Sequence, residues 1–337
     1  MAEHTIQFIK MEGTANDYVF IDQLPPAGAD RAAAGLPVAE ASGWPADLDS
    51  DSPAGAALIQ RIADRNRGVG GDGVVFIRPP EDSRAAARMR MYNADGSASA
   101  MCGNALRCIA LHVHARTGDT EFLLESDVGL HAARTLEYDP AQSAGRFEVD
   151  LGPPMFAPER IPFAPERALS LRGDGVAEVL HEVRLDSDRL DSNPDRGELT
   201  IPPAVVLSMG NPHCVLFLED ADRAHFETLG PILENHPAFP ERTNVEFVSP
   251  DPTAAAEGRT GLYQRTYERG SGETLSCGSG ACAVHVAAVL TGRSGPVGRI
   301  RVRGGELELE WRGSLSESSG VLMRGAARLA FRGEFVV

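Results

Sequence analysis

The feature that most constrains this chain is a repeat. Arg90, Tyr92, Cys102 and Gly103 recur as Arg265, Tyr267, Cys277 and Gly278, all at an offset of 175 residues, and Arg67 and Arg242 keep the same register. The shared pattern is R-x-Y-x9-C-G followed by an apolar stretch, "GNALRCIALHVHA" in the first half and "GSGACAVHVAAVL" in the second. A fixed self-similarity over this distance predicts two related structural units rather than one irregular domain. Both apolar stretches are hydrophobic nearly all round, so each reads as a helix buried within its own half. Two such halves packed about a pseudo-dyad would set Cys102 and Cys277 on opposite walls of one cleft.

The surrounding pattern is strand-rich. "HTIQFIKMEG", "DYVFID", "DGVVFI" and "ARMRMYNADG" read as strands, and "AVVLSMGNPHCVLF" (204–217) as strand, turn, strand. Helices are expected over 58–66 and 103–115, and short strands with turns from Arg299 to Val337. The boundaries this suggests are an N-terminal half of 1–151 and a C-terminal half of 152–325, with "GPP" at 152–154 as a linker. Residues 23–57, rich in Pro, Ala, Gly and Asp, read as a mobile surface insertion, and 172–198 as a polar excursion.

Composition narrows the chemistry. The net charge of −16 disfavours nucleic acid or an anionic membrane as partner. No apolar run reaches the roughly 18 residues of a membrane span, and "MAEHTIQFIK" lacks a signal-peptide core. A cytoplasmic protein is expected. Its five cysteines are odd in number, and a reducing compartment argues against a disulfide framework. No C-x2-C spacing suits zinc or a thioredoxin-like redox pair. Lys10 is the only lysine, and it lies in a strand-like run, which disfavours a pyridoxal phosphate Schiff base.

What remains is the thiol pair. Each thiol precedes a helix, where unpaired N–H groups and the positive dipole end favour anions. A thiol there should ionise below its usual value of about 8.5. A substrate carboxylate held between two such helix ends would place its α-carbon between the sulfurs. One thiolate can then remove the α-proton while the other thiol protonates the opposite face, inverting the centre without metal or organic cofactor. Cys108, Cys214 and Cys282 read as small core hydrophobes. A Cys–His hydrolase would leave one of the two matched thiols idle.

These residues resemble the diaminopimelate epimerase family, on "MEGTANDYVFID", "DRNRGVGGDG", "YNADGSASAMCGNALRC", "SMGNPHCVLF", "RTNVEFV" and "YERGSGETLSCGSGACA". The resemblance implies an α+β (α/β) fold of two pseudo-symmetric halves, each a mostly antiparallel sheet wrapped around a central helix. The final strand, about 326–337, would return to the N-terminal half. It implies a cofactor-independent homodimeric enzyme acting on a small-molecule substrate, interconverting L,L- and meso-2,6-diaminopimelate in lysine and peptidoglycan-precursor synthesis. Cys102 and Cys277 take the places of the acid–base pair, and His213 and Glu268 match residues that assist it. The reactive carboxylate would meet the backbone N–H groups of Gly103, Asn104, Gly278 and Ser279. Asn93, Asn211, Asn244 and Arg269 match the clamp for the distal amino-acid end, and Asn16 a further substrate contact.

The chain departs from the family at Glu12 and Ala15 in the opening M-H-G-x-G-N-D pattern, at Ala105, and at Gly73, where a substrate-facing Gln is expected. Restoring that Gln is expected to be neutral or mildly helpful if the substrate is diaminopimelate, and harmful if the pocket is reshaped for another side chain. Two alternatives stand: a two-thiol racemase of another amino acid, such as histidine, and a non-catalytic amino-acid-binding protein.

Overall fold

The computed structural model describes residues 5–25, 42–45, 48–165, 170–172, 181–184, 203–314 and 319–337. The chain divides into two compact units, one of residues 1–150 with 324–337 and one of residues 151–323.

The first unit contains β1 (Thr5–Gly13), β2 (Asn16–Asp22), α1 (Pro53–Ala63), β3 (Gly73–Arg78), β4 (Ala85–Asn93), β5 (Ala98–Ser99), α2 (Gly103–Thr117), β6 (Glu121–Ser126), β7 (Gly129–Asp139) and β8 (Ala144–Asp150). The second contains β9 (Ser170–Arg172), β10 (His181–Arg184), β11 (Ala204–Ser208), β12 (Pro212–Phe217), α3 (Phe226–Glu234), β13 (Asn244–Pro250), α4 (Pro252–Ala256), β14 (Leu262–Glu268), β15 (Gly272–Thr274), α5 (Gly278–Leu290), β16 (Val297–Val302) and β17 (Gly305–Glu310). The last strand, β18 (Leu322–Val336), lies mainly in the first unit.

In the first unit β1 pairs antiparallel with β2, β2 parallel with β3, β3 antiparallel with β4, β4 parallel with β6, and β6 antiparallel with β7. The second unit runs the same sequence of pairings: β11–β12 antiparallel, β12–β13 parallel, β13–β14 antiparallel, β14–β16 parallel, β16–β17 antiparallel. The short strands β5 and β15 flank β4 and β14 in the same way. The repeat seen in the sequence is therefore a repeat of topology. In the first unit β7–β8, β8–β18 and β18–β1 pairings complete the circuit around α2.

Strand alternation explains why these segments read as near-continuous apolar runs. On β2, Val19 and Ile21 pack with Leu58, Ile59 and Ile62 of α1, which leaves Asn16, Tyr18 and Phe20 for the opposite face. On β12 and β13, Cys214, Leu216, Val245 and Phe247 pack with Phe226, Leu229 and Leu233 of α3. His213 and Glu246 are thereby turned to the other face. Both faces are covered, so polar residues there are buried by construction.

The α+β expectation is borne out, with local corrections. The first helix begins at Pro53, capped by the Ser52 hydroxyl accepting the Gly55 N–H at 3.1 Å, and it ends at Ala63 rather than 66. Within the supposed surface insertion, Trp44 is buried and edge-packed on Phe76 with ring centroids 4.8 Å apart. Residues 26–41 and 46–47 of that segment lie outside the described residues, as does most of 172–198. The tail is not all short strands, because β18 is a single strand of 15 residues.

Candidate active site

The two cysteines occupy equivalent places. Cys102 is the N-cap of α2 and Cys277 the N-cap of α5, both with extended backbone, at φ −144° and −117°. Gly103 and Gly278 open the helices, and Asn104 and Ser279 follow as buried residues. The helices begin there because a small, unbranched residue leads into a stretch of Ala, Leu, Ile and Val that the sheet covers. Gly118, at φ 77°, stops α2.

Around Cys102 the first unit gathers Asn16, Tyr18 and Asn104. The Tyr18 hydroxyl lies 3.3 Å from the Cys102 sulfur and 2.7 Å from Asn16 Oδ1. Asn104 Nδ2 donates to the same Asn16 oxygen at 2.9 Å. Asn16 Nδ2 in turn donates to Asp72 at 2.5 Å. Asp72 also accepts from the Asp17 N–H and from Arg65. Lys10 and Arg65 both pair with Asp17, and Lys10 donates to the Gly70 carbonyl. The sole lysine is thus buried and engaged. Arg65 and Lys10 together hold the Asp17 carboxyl below its ordinary range despite its partial burial. Asn93 ends β4 and donates to the Ser97 hydroxyl at 3.0 Å.

Two of the family departures prove to be coupled. Thr14 and Ala15, joining β1 to β2, both have positive φ, 60° and 58°. Such a turn suits glycine, and alanine there carries strain. Glu12 compensates by accepting the Ala15 N–H at 2.9 Å. Glu12 is therefore a brace for this turn. The expectation that Gln at position 73 would be neutral is overturned. A Cβ at Gly73 would sit 2.2 Å from the Tyr92 carbonyl oxygen, and that atom is backbone of the paired strand β4.

In the second unit His213, fully buried, lies 2.7 Å from Glu246 Oε1 through Nδ1 and 2.9 Å from Asn211 Oδ1 through Nε2. Both ring nitrogens face side-chain oxygens, so the ring is held in one orientation between Glu246 and Asn211. The same contact turns the amide nitrogen of Asn211 away from the histidine. Asn244 stands beside His213 in the parallel register and accepts the Arg269 N–H at 2.9 Å. Glu234 holds the following turn by accepting the Gly270 N–H and pairing with Arg242. The exposed Arg269 guanidinium donates to the Glu241 carbonyl at 3.0 Å. Glu268 accepts from the Thr274 hydroxyl across the β14–β15 hairpin. Gly280 matters by its lack of a side chain: a Cβ there would meet Glu246 Oε1 at 2.7 Å. Its N–H caps onto the Cys277 sulfur at 3.3 Å.

The expected lowering of the thiol pKa is wrong for Cys277. Burial lifts it well above its ordinary value, and the carboxylates of Glu268 and Glu246 lift it further. The Ser279 hydroxyl and Gly280 N–H pull the other way and lose. In the free protein Cys277 is a neutral thiol. Cys108 and Cys214 are also raised by burial, as core residues should be.

Sequence reasoning missed Tyr18, Asp72 and Glu246. Each lay inside a quoted block: Tyr18 and Glu246 share a strand face with the candidates Asn16 and Asn244, two residues away, whereas Asp72 sits in the loop before β3. The candidates gather as two sets, one per unit: Asn16, Cys102 and Asn104 in the first, and Asn211, His213, Asn244, Glu268, Arg269 and Cys277 in the second.

A duplicated α+β unit with a cysteine at the N-cap position of each enclosed helix is a narrow class. The family model for diaminopimelate epimerase matches residues 46–156 and 205–330. Diaminopimelate epimerase of Leptospira biflexa is 39% identical over 334 residues, covering 98% of each chain. That of Desulfovibrio desulfuricans is 36% identical, covering 98% of this chain and 99% of the relative. Among solved structures, a hydroxyproline epimerase from Agrobacterium vitis shares the fold at 14% identity and a TM-score of 0.62, covering 100% of this chain and 92% of that one. A PhzF-family phenazine biosynthesis protein of Bacillus anthracis does so at 12% identity and a TM-score of 0.59, covering 99% of each. The chain belongs to the diaminopimelate epimerase family.

Proposed function

We propose that the protein interconverts L,L- and meso-2,6-diaminopimelate by a two-thiol acid–base mechanism. The observation that carries this reading is the duplicated construction, one thiol at the N-cap of each enclosed helix. Inversion needs a base on one face of the α-carbon and an acid on the other, and each half supplies one thiol. In one direction a thiolate takes the α-proton and the other thiol delivers its own; in reverse the roles exchange. The α-carboxylate accepts from the N–H groups of Gly103, Asn104, Gly278 and Ser279, where charge developing on it is stabilised. Asn93, Asn211, Asn244 and Arg269 hold the distal end. His213, locked by Glu246, fixes the Asn211 amide so that its two N–H donors serve a carboxylate.

Glu268 has a second role in this reading. Its charge opposes the Cys277 thiolate, and a substrate ammonium beside it would cancel that charge. Cys277 then ionises readily only when substrate is bound, which protects a buried thiol from oxidation between turnovers. A Schiff-base cofactor has no anchor here, since Lys10 is buried and engaged by Asp17. Family membership further supports a homodimer working in the cytoplasm in lysine and peptidoglycan-precursor synthesis.

The test is exchange of the α-proton in D2O over a panel of amino acids, read by proton NMR. Exchange at diaminopimelate with conversion between its stereoisomers is the expected result. Faster exchange at histidine would make the protein a racemase of another amino acid, and exchange at none would make it a binding protein.

A further inference from the structure

Tyr18 and Asn16 lie two residues apart on β2, on the face turned from α1 and toward the thiol at the start of α2. The Tyr18 hydroxyl, on a side chain only 4% exposed, has two acceptors within reach: Asn16 Oδ1 at 2.7 Å and the Cys102 sulfur at 3.3 Å. Asn16 Oδ1 has a second donor of its own, Asn104 Nδ2 at 2.9 Å. The hydroxyl can therefore leave Asn16 without orphaning a buried carbonyl, which would otherwise oppose the move.

We propose that Tyr18 is a catalytic residue of the first half, its hydroxyl turning between Asn16 and Cys102 as the thiol loses and regains its proton. With Cys102 as thiol, the phenol donates to Asn16 Oδ1 and its oxygen accepts the S–H. With Cys102 as thiolate, the phenol rotates and donates to sulfur, and Asn104 alone serves the Asn16 carbonyl. Tyr18 keeps its own proton throughout. The proton lost or gained by sulfur is the one exchanged with the substrate α-carbon, so the proposal rests on the two-thiol reading above. Its effect is a charge-assisted hydrogen bond that exists only in the thiolate state.

The charged groups facing this pair are engaged elsewhere. Glu12 of β1 serves the Ala15 N–H, and Asp72 binds Asn16 and Arg65. Asp17 pairs with Lys10 and Arg65, and Arg107 of α2 donates to the Thr14 hydroxyl and the Ala326 carbonyl. Cys108, further along α2, is pushed up by burial.

The experiment is the pH dependence of iodoacetamide alkylation in the full-length protein without substrate, followed by mass spectrometry of the Cys102 peptide. Tyr18→Phe keeps the ring and removes the hydroxyl. The expected result is a Cys102 midpoint moved to higher pH and alkylation about ten-fold slower below it, the loss expected for one hydrogen bond to a charged group. The Cys277 peptide should react as in wild type. Asn104→Ala is the second variant: it ties the Tyr18 proton to Asn16 and should shift Cys102 in the same direction. With diaminopimelate, Tyr18→Phe should lower kcat with KM nearly unchanged. A Cys102 midpoint unchanged in either folded variant overturns the proposal. Loss of α-proton exchange in the wild type would instead remove the two-thiol reading, leaving the thiol measurement to stand by itself.

Discussion

Glu268→Gln should move thiol reactivity and turnover in opposite directions. The substitution is conservative in shape, and Gln can still accept from the Thr274 hydroxyl that bridges the β14–β15 hairpin. What it removes is the carboxylate charge that, after burial, does most to raise the Cys277 thiol. Like unit charges at an effective dielectric constant of ~20 repel by roughly 2–3 kcal/mol over the ~6–8 Å range in which such pairs act. Glu268 is half-buried, so solvent screening brings this to about 1.5 kcal/mol, roughly a ten-fold gain in thiolate at fixed pH. Alkylation of the Cys277 peptide in the substrate-free protein should therefore be about ten-fold faster in Glu268→Gln. Turnover of diaminopimelate should fall by roughly ten- to a hundred-fold, because the substrate ammonium loses its charged partner. The assay is paired: alkylation rate against pH by mass spectrometry, and stereoisomer conversion on the same preparation. A Cys277 rate unchanged or slower in the variant would refute the electrostatic account of this thiol.

Other expectations follow from the same structure. The thiols of Cys108, Cys214 and Cys277 are raised by burial above 9.0, so the unfolded chain releases those protons first as pH rises. Stability should fall above about pH 9, by about 1.4 kcal/mol per pH unit for each such thiol. His131 and His285 are lowered by burial below 6.5, so stability should also fall as pH drops below that value. Urea midpoints measured from pH 5 to 10 check both limbs, and a flat profile above pH 9 contradicts the first. Gly73→Gln should destabilise by about 1–3 kcal/mol as β3 and β4 are forced apart, read as a lower Tm. Arg269→Lys should cost roughly ten-fold or more in kcat/KM on diaminopimelate, since lysine lacks the planar two-point fork. Substrates without a distal carboxylate should be affected much less.

The thiols at the two helix starts were legible because their signal is local: cysteine, glycine, then an apolar stretch, given twice. Topology was legible only as a repeat, since parallel pairs such as β2–β3 and β12–β13 join strands far apart in sequence. The roles of Tyr18, Asp72 and Glu246 were hidden for the same reason. Each acts on a residue of another element, as Glu246 of β13 does on His213 of β12. The thiol pKa was misjudged because a helix N-terminus can be read from sequence, whereas burial and two carboxylates brought in by β13 and β14 cannot. Trp44 was misread because its neighbours are loop-forming, yet a single large ring can anchor such a segment to Phe76.

The central claim is that two thiols, one per half, share a single inversion. Its most direct test is stereoisomer conversion and α-proton exchange in D2O by Cys102→Ala and Cys277→Ala, each checked for native circular dichroism and thermal unfolding. The account predicts that conversion is abolished in both variants while both stay folded. Conversion near the wild-type rate by either one would contradict it.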